Sequence, residues 1–218
     1  MSKETKTDKS ERRALFHRQN ILTAAKELFL KKGVENTSMD EVAKISDYSK
    51  STIYVYFHSK EDIFYHIVLE YMTILYEGIK KCILLYEDTK ICYDAICDQL
   101  VKFQSSYPMY FECILGKINV EDGELEKYTV LAQIYEVGEE INTLVVSFFE
   151  QGVKSNYFDH TLNPLPTVMV LWSSMSSIIS MSLKKEEYYE KRLGMNREDF
   201  LRYGFELILN TVRRKNTL

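Results

Sequence analysis

Residues 21–63, ILTAAKELFLKKGVENTSMDEVAKISDYSKSTIYVYFHSKEDI, constrain this chain more than any other stretch. Ile21, Ala25, Leu28 and Phe29 recur at 3.6-residue spacing, which predicts a long amphipathic helix with one buried face. Lys31 and Lys32 followed by Gly33 form a helix end: terminal cations, then a residue free to turn left-handed. Ser38-Met39-Asp40-Glu41 matches the capping box S-x-x-E and starts a second, short helix with Val42 and Ala43 on its apolar side. Ser46-Asp47-Tyr48-Ser49 interrupts it. Ser49 caps a third helix, Lys50 to about Phe57, anchored by Ile53 and Phe57 four residues apart. Ser59-Lys60-Glu61-Asp62 restarts a helix with acids in its first turn. Two short helices around a tight turn are the arrangement that presents one helix to the major groove of DNA.

The outward residues of that third helix suit such a surface. Lys50 can pair with a phosphate or a guanine edge. Ser51 and Thr52 are short enough to meet base edges or a thymine methyl. Tyr54, Tyr56 and His58 can reach phosphate oxygens, contacts that position a protein without reading sequence. Backbone N–H groups following Ser38 and Ser59 are further phosphate sites. The plain alternative for each residue taken singly is an ordinary solvated side chain. The constellation at fixed spacing is what carries the DNA-binding reading.

The segment resembles the DNA-binding region of TetR-family transcriptional regulators. The matching pieces are Ile21-Leu22-x-Ala24-Ala25-x-x-Leu28-Phe29, Gly33, Thr37-Ser38-Met39, Val42-Ala43, Ser49-Lys50-x-Thr52-Ile53-Tyr54-x-Tyr56-Phe57 and Ser59-Lys60-Glu61. The resemblance covers roughly the first 65 residues; beyond them only length and helical character agree. It implies an all-α fold, with an N-terminal three-helix helix-turn-helix DNA-binding domain and a C-terminal helical domain for ligand binding and dimerisation. It also implies Thr37, Ser38, Ser49, Lys50, Ser51, Thr52, Tyr54, Tyr56, His58 and Lys60 as the DNA-contacting set. Three positions depart from the family pattern, which usually has glycine where Asp47 stands, a small apolar residue at Tyr48, and often glycine at Ser51. The turn needs a left-handed backbone, which Asp tolerates better than most residues other than glycine.

Charge distribution agrees with that layout. The chain of 218 residues carries a net −4, but residues 1–60 hold 12 Lys and Arg against 8 Asp and Glu, whereas residues 61–218 hold 16 against 24. Attraction to phosphate is a local property of the surface that faces DNA. Residues 1–12 are expected to be a disordered basic arm, residues 13–60 the DNA-binding domain, and residues 61–218 the body. The arm is either a contact to backbone or minor groove or a solubilising tail; it has no apolar stretch of signal-peptide type.

Past residue 60 the pattern is helical throughout, with helices predicted over 61–86, 90–106, 108–117, 124–152, 166–187 and 197–214. The uncharged run Thr161–Leu183 has the length of a membrane span. Pro164, Pro166 and six serines between Ser173 and Ser182 argue instead for a buried helix beginning after Pro166. Cys82, Cys92, Cys97 and Cys113 form no C-x-x-C pair, so buried thiols in a reducing cytoplasm are expected rather than a metal site or disulfide framework.

The last two helices are the expected homodimer surface. Trp172 supplies bulk, while Ser173, Ser176, Ser177 and Ser180 form a small-residue face. On the final helix, Leu201, Phe205 and Leu209 form one of two apolar stripes. Two such helices from each of two chains give a four-helix interface, as the resemblance implies. A two-fold dimer would present its reading helices to half-sites of a palindromic operator about 34 Å apart.

Aromatics concentrate in the body. Tyr71, Phe103, Tyr107, Tyr110, Phe111, Tyr128, Tyr135 and Phe148 are expected to line an apolar ligand cavity with hydroxyl handles, or else to be plain core. Asp94, Glu112 and Glu136 are candidate counter-charges for a cationic ligand. No glycine-rich phosphate loop, G-x-S-x-G turn or metal-spaced His/Cys cluster occurs in the sequence, so neither an enzyme nor a cofactor is expected. The reading is a regulator, most simply a repressor that a small apolar or aromatic molecule releases from its operator. The alternative is a regulator or helical interaction module whose body binds a protein partner and no inducer.

Overall fold

The computed structural model describes residues 6–115 and 129–215. Among them there are ten helices: α1 Lys6–Lys32, α2 Met39–Ser46, α3 Lys50–Tyr56, α4 Lys60–Leu85, α5 Thr89–Ser106, α6 Pro108–Leu115, α7 Thr129–Lys154, α8 Pro164–Lys184, α9 Glu186–Leu193 and α10 Arg197–Val212. The described residues contain no strand beyond a single bridge between Phe158 and Arg213. The fold is all-α, as expected.

Two compact units divide the chain. The N-terminal unit takes the residues up to Glu70 with 129–134; the body takes 71–115 and 135–215. In the N-terminal unit, α1 buries Ile21, Ala25 and Phe29 along one face, and α2 buries Val42 and Ala43. Gly33, at φ 80, closes α1 where residues with a Cβ are strained. Ile53 and Phe57, 0 and 1 % exposed, anchor α3.

The body is packed by rings and aliphatic side chains from α4, α5, α7, α8 and α10. Tyr93 of α5 donates its hydroxyl to the Phe205 carbonyl of α10 at 2.9 Å. Phe149 of α7 stacks on Phe158 with centroids 4.8 Å apart and planes 9° from parallel. A Cβ at Gly152 would sit 2.2 Å from the Phe158 ring, so that ring's seat requires glycine. All four cysteines are free thiols, and burial pushes Cys92 up to about 12.

Several expectations about element boundaries need correction; among them, α8 ends at Lys184 rather than 187 and α10 at Val212 rather than 214. Residues 6–12, expected to be disordered, are helical and continue α1, because Lys, Glu and Arg are good helix formers extending an established register. α8 begins at Pro164 rather than after Pro166, because a first-turn proline gives up no intrahelical bond. A separate helix α9 was not expected, since 186–187 fall at the end of the helix predicted before it, although it has acids in its first turn, Lys191 and Arg192 in its last, and the left-handed cap Gly194. α7 ends at Lys154, two residues later than predicted; the expected start at 124 lies outside the described residues. Helix α8 is long and apolar enough to cross a membrane. Its inward side nevertheless holds Ser176, Ser180 and Ser182, which are buried beside Met175 and Ile179 in the body's own packing.

Candidate DNA-binding surface

The reading helix is built from its ends. Ser38 accepts from the Glu41 amide at 3.3 Å, and Glu41 accepts from the Ser38 amide at 2.9 Å, so the capping box is closed. Lys32 at the end of α1 donates to the same carboxylate at 2.6 Å. This bond, with those from Ser38, holds Glu41 down at about 2. α2 ends at Asp47, whose φ of 59 is the left-handed turn the sequence requires. Ser49 then caps α3, accepting from the Thr52 amide at 3.1 Å, and its hydroxyl also meets those of Ser51 and Thr52.

With Ile53 and Phe57 buried, the opposite face of α3 is presented outward. Lys50 and Ser51 are exposed, Tyr54 is 47 % exposed, and Thr52 and Tyr56 are half-buried. His58 is exposed at the α3–α4 junction, where its amide donates to Asp62 at 2.8 Å. Lys60 donates to the Glu35 carbonyl at 2.9 Å. Thr37 differs from the expectation: it is 3 % exposed and its hydroxyl donates to the Gly33 carbonyl at 2.8 Å. Its side chain holds the α1–α2 corner and has no hydroxyl to offer DNA.

The structure adds three features that were not foreseen. Val55 is 78 % exposed on α3, as its position two residues after Ile53 implies. Asp40 of α2 pairs with Lys50 at 3.0 Å, raising the lysine's pKa and competing for its charge. Tyr48 in the turn packs back on α1, its hydroxyl 2.5 Å from His17 Nδ1. No local pattern announces the last two, because each partner is distant in sequence.

Beneath this surface, Arg18 of α1 reaches His66 of α4 at 2.7 Å and lies 4.7 Å over the Phe57 ring. Burial, and then the adjacent guanidinium, lower His66 to about 4, so it is neutral and accepts from Arg18. Asp62, itself 5 % exposed, stands 3.5 Å from the same His66 nitrogen, Nε2, that Arg18 reaches.

In the body, the expected ligand residues do not share one cavity. Tyr71, Phe103, Tyr107, Tyr110 and Phe111 pack on one another, with Tyr71 stacked on Tyr110 at 4.0 Å. Phe148 alone lines an apolar cavity of about 40 Å³, with Tyr93, Phe149, Phe158, Trp172 and Met175 among its walls. Tyr135 is 67 % exposed in an open groove elsewhere, and Tyr128 lies outside the described residues. The candidate counter-charges do not line the cavity either. Asp94 pairs with Lys90, Glu112 accepts from Ser180 and pairs with Lys184, and Glu136 borders the open groove.

The expected dimer residues also divide. Ser176, Ser180, Leu201, Phe205 and Leu209 are 0–8 % exposed within one chain, so they cannot face a partner. The α8–α10 pair turns these side chains into its own core, where α10 rotates one stripe inward and leaves the other out. Ser173 and Ser177 are exposed, Trp172 is half-buried, and the outward stripe continues through Val170 at 65 %, Tyr203 at 62 % and Leu207 at 56 %.

Residues 21–67 match the family model for bacterial regulatory proteins of the tetR family. An uncharacterised HTH-type transcriptional regulator of Bacillus subtilis (strain 168), YfiR, is 40 % identical over 79 residues, which are 36 % of this chain and only 35 % of that protein. The HTH-type transcriptional regulator SAS2464 of Staphylococcus aureus (strain MSSA476) is 23 % identical over 200 residues, 92 % of this chain and 96 % of the relative. The fatty acid degradation regulator FadR of Bacillus halodurans superposes with a TM-score of 0.68 at 16 % identity, over 91 % of this chain and 97 % of that one; this is a likeness of fold. With the helix-turn-helix geometry present at the matched residues, the chain carries the DNA-binding segment of the tetR family of bacterial regulatory proteins on an all-α fold.

Proposed function

We propose that the chain works in the cytoplasm as a homodimeric repressor, and that a small apolar or aromatic molecule bound in the body releases it from a palindromic operator. The observation that carries the DNA half is α3: a short helix locked at both ends, with Lys50, Ser51, Thr52 and Tyr54 on its free face. Lys50 supplies the charge contact, Ser51 and Thr52 the base-edge contacts, and Tyr54 a phosphate contact. The exposed stripe of Val170, Ser173, Ser177, Tyr203 and Leu207 supports self-association through α8 and α10.

The all-apolar cavity beside Phe148 supports the effector half. At about 40 Å³ it is closed to any drug-sized molecule, which fills roughly 300–1,000 Å³. A ligand therefore has to part the rings around it. α4 is one continuous helix from Lys60 to Leu85, so a shift of its body half is carried covalently to the end beside α3. Release is then a shift between two populations, driven by the ligand's preference for the opened body.

The closed cavity and the mutual packing of the Tyr71–Tyr110 cluster equally favour a second reading, in which the body binds a protein and no inducer. One experiment separates the two. The purified chain is titrated with DNA flanking its own gene and with unrelated DNA. Compounds that raise its melting temperature are then added. The repressor reading requires specific, salt-sensitive binding and a compound that both stabilises the chain and weakens that binding. Specific binding with no responsive compound across a broad panel favours the protein-partner reading.

A further inference from the structure

Tyr48 is held in the turn by a chain of polar contacts from α1. Its hydroxyl lies 2.5 Å from His17 Nδ1 and 3.3 Å from Asn20 Nδ2, and the two rings meet edge-on at 5.1 Å. One turn earlier on α1, Arg13 Nε donates to His17 Nε2 at 3.3 Å.

The donors fix the protons. A guanidinium only donates, so Nε2 accepts, and a neutral imidazole must then carry its proton on Nδ1. Nδ1–H donates to the Tyr48 oxygen, and the Asn20 amide donates to the same atom. Both acceptor positions of that oxygen are filled from α1. The tyrosine's own O–H proton therefore points away from α1. The remaining guanidinium nitrogens of Arg13 have no partner among the described residues. The His17 ring also lies 6.2 Å from Tyr56 of α3, so this group stands beside the reading helix. A polarised O–H donor next to a guanidinium, on the face that meets DNA, suits an oxyanion.

We propose that Tyr48 and Arg13 form a second phosphate-binding site for the operator backbone, outside α3, with His17 and Asn20 as positioning residues. The proposal rests on the DNA-binding reading above. It makes the bulky residue in the turn a contact of its own: the family's usual small residue there could not reach from the turn to α1 or offer a hydroxyl.

The test starts with duplexes selected from a random library by the purified full-length chain. If nothing is enriched, the DNA-binding reading fails before this one is reached. On the enriched duplex, Tyr48→Phe should raise Kd about tenfold, the scale of one hydrogen bond to a charged acceptor. The slope of log Kd against log salt should not change, and the loss should be equal on an operator with one base pair altered. Arg13→Gln should lower that slope by about 0.9. His17→Ala should reproduce the Tyr48→Phe loss, and His17→Asn, which keeps an N–H near the place of Nδ1, should recover most of it. The His17→Ala/Tyr48→Phe pair should lose no more than Tyr48→Phe alone. Unchanged affinity in Tyr48→Phe overturns the proposal. So does a loss confined to one base pair, or a double variant whose losses multiply.

Discussion

The reading segment and the body are held by different forces. α2 and α3 have 8 and 7 residues, too few to stand alone in water. They are fixed by directional bonds, the Ser38–Glu41 box, the Ser49 cap and the Lys32–Glu41 link, with Val42, Ile53 and Phe57 as their deep anchors. The body uses helices of 16 to 26 residues in α5, α7, α8 and α10, and rings stacked on rings. Hydrogen bonds specify where an atom sits; dispersion and burial reward contact without specifying one geometry. A surface that must match DNA is built from the first kind. The body, where the proposed effector would enter, is built from the second.

The largest effect that would test this contrast is in the body. Phe149→Ala removes a ring that is 1 % exposed and stacked on Phe158, and should cost about 3–5 kcal/mol in chemical denaturation. A loss below about 1 kcal/mol would mean the stack is not what holds the body. Next comes the proposed interface. Leu207→Arg and Val170→Arg should turn the dimer into a monomer in sedimentation while barely moving the unfolding free energy of that monomer, because both sites are open to solvent. A dimer surviving both changes would remove the stripe from the account.

The third effect is a pH dependence that belongs to the N-terminal unit. His66 is held near 4 when folded, against 6.5 when unfolded. Between those values the unfolded chain takes up a proton that the folded chain refuses. Stability is therefore complete above about pH 6.5 and falls as the pH drops toward 4, by roughly 3 kcal/mol. His66→Phe should flatten that part of the profile, while an unchanged profile would show that another group sets it. Smaller still is the effect at the DNA surface. Lys50→Ala should weaken operator binding by about tenfold without lowering the melting temperature, and Asp40→Asn should strengthen binding by freeing Lys50. Weaker binding in both variants would mean that the pair, not the lysine alone, meets DNA. The smallest is Ser38→Ala, which should cost about 1 kcal/mol through its cap.

The same contrast decides what could be read from sequence. Caps, the left-handed Asp47 and the Ile53/Phe57 spacing are local, and each constrains residues within four positions of itself, so α2, the turn and α3 were legible almost atom by atom. The sequence misplaces Thr37 because a threonine before a cap looks alike whether its hydroxyl turns out or back to Gly33. Tyr48 was visible as a departure, but its partner His17 lies 31 residues away. In the body the helices were legible and their facing was not. α10 offers two apolar stripes of similar strength, and only the packing of α8 against it tells that Leu201, Phe205 and Leu209 go in while Tyr203 and Leu207 stay out. The concentration of aromatics in the body is plain in the sequence, but not whether they line a cavity. Whether rings enclose space or fill it depends on distances of a few ångströms that no sequence spacing encodes.

The most direct test of the central claim is a hydroxyl-radical footprint on the DNA flanking the chain's own gene. A two-fold pair of α3 helices predicts two protected half-sites of inverted sequence, their centres about one DNA turn, roughly 34 Å, apart. Lys50→Ala should fade both together. A single protected segment, or uniform weak protection of every fragment, would contradict the account.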